Sequence, residues 1–121
     1  MDKLIKEEFF KEFSINEDYF LSTGLDWTEL EKIYEDYVRL VPLLEKEAEY
    51  VVSKLIDVSS VHSVRRRVKK PSHLIEKIIR KGKKYQERNI SVDNYKEIVT
   101  DLIGIRVLHL FKDDWQTIHH E

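Results

Sequence analysis

Basic side chains and one carboxylate are the residues of this sequence whose types and spacing best suit chemistry on phosphates. Arg67 and Lys69 are followed by Lys77 and Arg80, and Asp101 stands further along the chain. Guanidinium and ammonium groups neutralise phosphate oxygens, and protein-bound Mg²⁺ takes one or two carboxylates together with phosphate oxygens and water. The pattern therefore favours a site for a nucleoside triphosphate and its metal ion.

Each part of this pattern also has an ordinary structural explanation. A basic helix face is often only solvated, and basic helices are common. An acid such as Asp101, standing alone, is frequently a cap or turn residue before a strand. The phosphate-site hypothesis therefore depends on the bases and the acid coming together.

Other chemical motifs are weak or missing. His119, His120 and Glu121 have the side-chain types of a transition-metal site, but adjacent helical residues do not share a face and no further ligand is visible. The sequence has no Ser-His-Asp spacing, no glycine-rich P-loop, no zinc motif and no cysteine. Those classes of site are set aside.

The elements predicted around the basic residues are a strand, a turn and a helix. Residues 61–69 alternate with period two, which puts Arg67 and Lys69 on one strand face. Pro71 suits the first turn of a helix that we expect over residues 72–84. Its inward residues are predicted to be Leu74, Ile75, Ile78 and Ile79, and its polar side His73, Lys77, Arg80, Lys81 and Lys84.

Asp101 precedes the most strand-like segment, residues 102–111. Ile103, Ile105, Val107, His109 and Phe111 alternate with Gly104, Arg106, Leu108 and Leu110. Apolar residues on both faces favour a central strand that is covered on both sides. Residues 82–93 are polar and predict a mobile loop, and residues 95–99 predict one helical turn.

The first half of the chain is predicted to be helical and shows no catalytic pattern. A short helix over residues 1–13 should break at residues 14–16, and Asp26 with Glu29 resembles a capping box that starts a long helix. The apolar stripe of that helix is Leu30, Ile33, Tyr37, Leu40, Leu44, Ala48, Val51 and Leu55. Pro42 lies inside the stripe and predicts a bend or break near residues 39–41. A last short helix is expected over residues 115–120.

The charges divide the chain into three parts. The net charge is −8 over residues 1–57, +9 over residues 58–88 and −3 over residues 89–121, which gives −2 for the whole chain. A basic middle between acidic ends favours a local polyanion site, and no direct nucleic-acid binding is expected. No apolar run approaches the roughly 20 residues of a membrane span. With no cysteine and no signal-peptide pattern, we expect a cytoplasmic protein without membrane partners.

The two segments together resemble the synthetase domain of the RelA/SpoT family, whose members make guanosine tetraphosphate and pentaphosphate. The resemblance covers roughly residues 61–111. It rests on Arg67-x-Lys69, on Lys77 ten residues after that Arg, on Arg80 three further on, and on the Asp-Leu-Ile-Gly-Ile-Arg segment at residues 101–106. This joint match is far more specific than either segment alone.

The resemblance implies transfer of pyrophosphate from ATP to the 3′-hydroxyl of GDP or GTP, as in the stringent response. It implies an α+β fold, a nucleotidyltransferase-like mixed sheet flanked by helices, here with about two strands. Residues 1–57 would be an N-terminal helical segment and residues 58–121 the N-terminal half of the synthetase domain.

The resemblance also implies a role for each matching residue. Arg67 and Arg106 would sandwich the adenine in a cation–π arrangement. Lys69, Lys77 and Arg80 would hold the ATP phosphates, and Asp101 would bind Mg²⁺. His73 stands where many family members have Ser beside the phosphates, and it can still donate one hydrogen bond.

Family members continue into further strands that carry a second catalytic Glu, in a Glu-x-Gln-Ile type motif, and the guanine-nucleotide pocket. These 121 residues lack that motif, so the chain is interpreted as an N-terminal portion of a synthetase and expected to be inactive alone. The alternative is a non-catalytic nucleotide-binding or interaction fragment. A half sheet leaves an exposed edge, so self-association into a homo-oligomer is expected in either case.

Overall fold

The computed structural model of the chain describes residues 3–58 and 61–109, with the backbone alone at His109. Its elements are α1 (Lys6–Glu12), α2 (Glu17–Thr23), α3 (Trp27–Leu55), β1 (Val61–Val68), α4 (Pro71–Arg80), α5 (Gly82–Glu87), α6 (Tyr95–Ile98) and β2 (Ile103–His109). The predicted α+β class, a small sheet flanked by helices, is confirmed. The predictions for residues 115–120 and for the His119, His120 and Glu121 cluster lie outside the described residues. None of the described helices is long and apolar enough to cross a membrane.

Contacts divide the described chain into two interleaved units. The first unit holds residues 3–41 and 69–102, and the second holds residues 42–58, 61–68 and 103–109. The first unit therefore contains α1, α2, the first half of α3, α4, α5 and α6. The second contains the rest of α3 and both strands.

Aromatic side chains build one end of the first unit. Phe10 of α1, Phe20 of α2 and Trp27 of α3 pack ring to ring with centroids 5.3 to 6.0 Å apart. The predicted break at residues 14–16 is confirmed, since Ser14 adopts a positive φ of 54°. α2 was not predicted; it begins where the Asn16 side chain accepts a hydrogen bond from the Tyr19 N–H at 3.1 Å.

α3 runs through Pro42 without interruption, so of the predicted bend or break the break is wrong, and the bend stays a prediction. Proline removes one hydrogen bond from a helix of 29 residues, and burial of Leu30, Ile33, Tyr37 and Ala48 holds turns on both sides of it. Asp26 caps the helix as predicted, accepting from the Thr28 N–H at 3.1 Å. Glu29 does not complete the box: its carboxylate accepts from the Val92 N–H at 2.8 Å and ties the segment before α6 to α3.

α4 buries the predicted face but ends at Arg80, earlier than expected. Leu74, Ile75, Ile78 and Ile79 are at most 1% exposed. The loop predicted over residues 82–93 is wrong in its first half, where α5 forms because Tyr85 is buried at 2% exposure and anchors the turn. The single helical turn near Tyr95 is confirmed as α6.

β1 and β2 form an antiparallel two-stranded sheet within the described residues. Cross-strand pairs are Val64 with Val107, Arg65 with Arg106, Arg66 with Ile105, Arg67 with Gly104 and Val68 with Ile103. Directly opposed residues share a face, so one face carries the valines and isoleucines and the other carries arginines. The prediction that β2 is covered on both sides is wrong for the described residues, because Gly104, Arg106 and Leu108 are exposed.

The second half of α3 contacts β1 through charged side chains of the second unit. The Arg66 guanidinium lies 3.7 Å from the Glu45 carboxylate and 3.8 Å from the Glu49 carboxylate. Arg66 stands on the apolar sheet face, and these acids supply its counter-charge. Because all three side chains are partly exposed, the pairing contributes modestly to stability.

We expect Gly82→Ala to destabilise the protein by about 1 to 3 kcal/mol, because overpacking a tight contact has a cost of this order. A Cβ at Gly82 would overlap the Thr23 side chain, which is 4% exposed and unable to move aside. Urea denaturation measures the change. Gly104→Ala is the matched control, since its nearest atom would be the Arg67 carbonyl oxygen at 3.9 Å. Equal stability of the two variants would contradict this packing argument.

Candidate functional site

Two lysines converge on one carboxylate in the first unit. Lys77 Nζ lies 2.7 Å from one Asp101 oxygen, and Lys69 Nζ lies 3.3 Å from the other. The Lys69 and Lys77 side chains are 16% and 13% exposed, whereas the Asp101 side chain is 50% exposed. The two lysine side chains are thus largely buried, and their ammonium groups share an acid that remains accessible from solvent.

The backbone at Lys69 is fixed from two sides. Its N–H donates to the Leu102 carbonyl at 2.8 Å, which places it beside Asp101. Its carbonyl accepts from the Tyr37 hydroxyl at 2.6 Å. Tyr37 is completely buried on α3, so the long helix holds the segment on which Lys69 lies.

Tyr95 supports Tyr37 from α6. Their rings meet edge to face with centroids 6.2 Å apart, and the Tyr95 hydroxyl donates to the Asp36 carboxylate at 2.6 Å. Burial and this hydrogen bond raise the pKa of Tyr95 far above its ordinary value, so the phenol stays protonated and remains a donor. The turn of α3 that holds Asp36 and Tyr37 is therefore tied both to Lys69 and to α6.

α4 positions Lys77 through its buried face. Pro71 occupies the first turn, and Lys70 precedes it in extended conformation without a side-chain cap. The four buried apolar residues fix the rotation of the helix, which brings Lys77 to Asp101. The positions of the basic side chains on α4 thus follow from its apolar spacing.

The structure does not bring every predicted residue to Asp101. The Arg80 Nε donates to Glu76 one turn earlier at 3.2 Å, and its guanidinium is 56% exposed. The His73 ring packs edge to face on Phe13, with centroids 5.9 Å apart. Of the predicted phosphate ligands, Lys69 and Lys77 therefore lie at the carboxylate, and Arg80 and His73 have other contacts.

The lysines set the protonation of Asp101. Partial burial by itself raises the pKa of this carboxyl, but the hydrogen bond from Lys77 and the charges of Lys69 and Lys77 outweigh burial and lower it below 3.8. The carboxylate is therefore ionised at neutral pH. An ionised, half-exposed carboxylate is the form that binds a divalent cation.

Arg67 and Arg106 lie in the second unit, on the exposed face of the sheet. Arg106 is opposite Arg65 and Arg67 is opposite Gly104, so Arg67 and Arg106 are diagonal neighbours on one face. All four positions are exposed. The predicted orientation of Arg106, away from the Ile103, Ile105 and Val107 stripe, is confirmed.

Like charges directly opposite one another destabilise a sheet. Even so, within the described part of the chain none of Arg65, Arg67 and Arg106 forms an ion pair. A face that concentrates three guanidinium groups without acids suits an anionic or aromatic ligand.

Sequence reasoning missed Tyr37 and Arg65. Tyr37 was identified only as a member of the apolar stripe, because nothing local shows that its hydroxyl reaches residue 69. Arg65 had a usable signal, since its period-two spacing from Arg67 already put the two on one strand face.

Mg²⁺ fits this site if a phosphate ligand supplies part of its coordination. No group of three or more His, Cys, Asp or Glu side chains able to hold a metal occurs among the described residues. Asp101 offers one accessible carboxylate, and Mg²⁺ commonly takes one protein carboxylate with phosphate oxygens and water. The donor set therefore fits a metal that arrives with a phosphate ligand.

We expect Asp101→Asn to lower the free energy of unfolding at neutral pH by about 1 kcal/mol, since the pair is half exposed. The folded-state pKa lies below the ordinary value of 3.8. The stabilisation is therefore present above that value and is lost as the pH falls through the folded-state pKa. Urea denaturation of both proteins across this range should show the difference disappearing at low pH. Asp93→Asn, at an exposed position, is the control, and the same loss in both variants would contradict the ion-pair argument.

Part of the chain matches the model of a known protein family. The family model described as "Region found in RelA / SpoT proteins" matches residues 66–121. A search of the curated proteins and a search of the solved structures found no match. The matched range begins in β1 and includes every residue proposed for the site, from Arg67 to Arg106. Residues 66–121, somewhat under half of the chain, therefore match the family that the two sequence segments predicted.

Proposed function

We propose that the chain holds the ATP side of a guanosine tetraphosphate and pentaphosphate synthesis site. RelA/SpoT proteins are in general pyrophosphotransferases, and the family match covers the candidate residues. In the proposed reaction the 3′-oxygen of GDP or GTP forms a bond to the β-phosphorus of ATP. The bond from that phosphorus to the α,β-bridging oxygen breaks, and AMP leaves with this oxygen. The 3′-hydroxyl releases its proton.

The observation that carries the proposal is that two largely buried lysine side chains meet around one accessible carboxylate. Lysines on a merely solvated helix face keep their ammonium groups in water. Lys69 and Lys77 are only 16% and 13% exposed and meet at Asp101. A largely buried pair of cationic side chains requires a counter-charge, which the Asp101 carboxylate supplies to both lysines. The phosphate oxygens of a bound nucleotide can supply it instead.

Phosphate transfer depends mainly on positioning and on electrostatic stabilisation. Lys69 and Lys77 would neutralise the ATP phosphates from positions fixed by α3 and α4. Arg67 and Arg106 would stack on the adenine. Arg80 would join the phosphates after leaving Glu76, and His73 would donate one hydrogen bond.

Asp101 would hold Mg²⁺, which when bound neutralises charge on the phosphates. The carboxylate then has two roles in the proposal. Without nucleotide it is the counter-ion of Lys69 and Lys77, and with nucleotide it faces the metal. GDP or GTP is the expected acceptor, and the residues described leave the choice between them open.

We expect Lys77→Ala to weaken ATP binding by about 1 to 3 kcal/mol, the scale of a hydrogen bond to a charged group. Isothermal titration with ATP, with and without Mg²⁺, measures the change. Binding should also weaken as salt rises, because charge-assisted contacts are screened.

Lys46→Ala is the matched control, since Lys46 is exposed on the second half of α3 and outside the cluster. Its ATP affinity should equal that of the unaltered chain. If the Lys46 and Lys77 variants bind ATP alike, the basic segment is only a solvated surface and the proposed function is wrong.

The second candidate is nucleotide binding without transfer by a self-associating chain. Two observations favour it. Among the described residues, no group of three or more His, Cys, Asp or Glu side chains forms a metal centre around Asp101. In the second unit, Leu43, Tyr50 and Val51 of α3 are 57%, 63% and 40% exposed, which is a large apolar surface for one helix.

Turnover tests whether the chain alone performs the transfer, and mass tests whether it self-associates. We expect the 121-residue chain with ATP, GDP and Mg²⁺ to form no measurable guanosine tetraphosphate, assayed by chromatography, while still binding ATP. Light scattering should report a homo-oligomer that Leu43→Glu with Tyr50→Glu converts to a monomer. Robust synthesis by the chain would favour the first candidate outright, and a monomer at high concentration would contradict self-association.

A further inference from the structure

Four positions on the exposed sheet face form a parallelogram. Arg65 and Arg67 lie on β1, Arg106 is opposite Arg65, and Gly104 is opposite Arg67. One diagonal therefore joins Arg67 to Arg106, and the other joins Arg65 to Gly104. Diagonal neighbours in an antiparallel pair are about 7 to 8 Å apart.

That spacing of strand positions allows two parallel side chains to lie on either side of a flat ring. Atoms in van der Waals contact are about 3.5 to 4 Å apart, so a ring stacked on both sides needs about 7 to 8 Å between its neighbours. A ring standing between Arg67 and Arg106 must extend along the other diagonal. One of its edges then lies over Gly104.

The protein's own structure does not require glycine at this position. Gly104 has no positive φ, and among the described residues an added Cβ would meet nothing closer than the Arg67 carbonyl oxygen at 3.9 Å. Glycine inside a strand is less stable than residues with a side chain, by roughly 0.5–1 kcal/mol relative to alanine. Glycine in a strand often marks a place where a ligand approaches the backbone closely.

We infer that Gly104 is a specificity-determining residue, whose missing side chain leaves the space for the edge of a purine base held between Arg67 and Arg106. The inference rests on the proposed function, because it takes ATP as the ligand. Gly104 itself makes no contact that discriminates between phosphates. Its effect is therefore confined to ligands that carry a base.

The test compares Gly104→Val and Gly104→Ala with the unaltered chain, using ATP and inorganic triphosphate as ligands in isothermal titration. The valine variant should bind ATP about tenfold more weakly, since stacking of one base is worth that much or more. The alanine variant should show a smaller loss in the same direction. Both should bind triphosphate like the unaltered chain, and their thermal midpoints should be unchanged or higher.

The outcomes distinguish this inference from the proposed function. Unchanged ATP affinity in both glycine variants, with weakened binding by Lys77→Ala, overturns the role of Gly104 and leaves the phosphate site standing. Equal weakening for ATP and triphosphate also overturns it, because the loss then has nothing to do with a base. If Lys77→Ala changes neither ligand, the proposed function fails. Should valine prevent folding, the alanine variant decides the question alone.

Discussion

The candidate site depends on one electrostatic constraint, the need of two largely buried lysine side chains for an anion. Lys69 and Lys77 are on different elements, and each would be costly to bury without a counter-charge. Asp101 supplies that charge to both and stays accessible. The same constraint explains why the carboxyl is ionised, why α4 and the segment before β2 meet, and why a phosphate ligand suits the place where the acid stands.

Lys69 and Lys77 can share Asp101 only because the backbone around these residues is held in place. Tyr37 is a hydrophobic residue along most of its length and a hydrogen-bond donor at its tip, so one side chain packs the core and fixes the Lys69 carbonyl. Tyr95 does the same toward Asp36. The core of the first unit thus positions a charged site without placing a charge in its interior.

Local pattern was sufficient where a single periodicity decides the structure. The buried face of α4, the two strand faces and the Asp26 cap all follow from spacing along the chain. Two failures came where distant contacts decide: burial of Tyr85 converts an expected loop into α5, and Val92 takes the Glu29 carboxylate away from the cap. The contact of Arg80 with Glu76 is local, four residues apart on α4. Convergence of Lys69, Lys77 and Asp101 required the family resemblance, since 32 residues separate Lys69 from Asp101.

Pro42 has a consequence for how the molecule unfolds. Proline has no backbone N–H, so the carbonyl one turn earlier in α3 has no helical donor at this point. The division between the two units falls at the same residue. α3, which has residues in both units, therefore lacks one backbone hydrogen bond at the boundary between them. The unit with the lysines and the unit with the arginine face are therefore two candidate cooperative units of unfolding, joined along the chain at this proline.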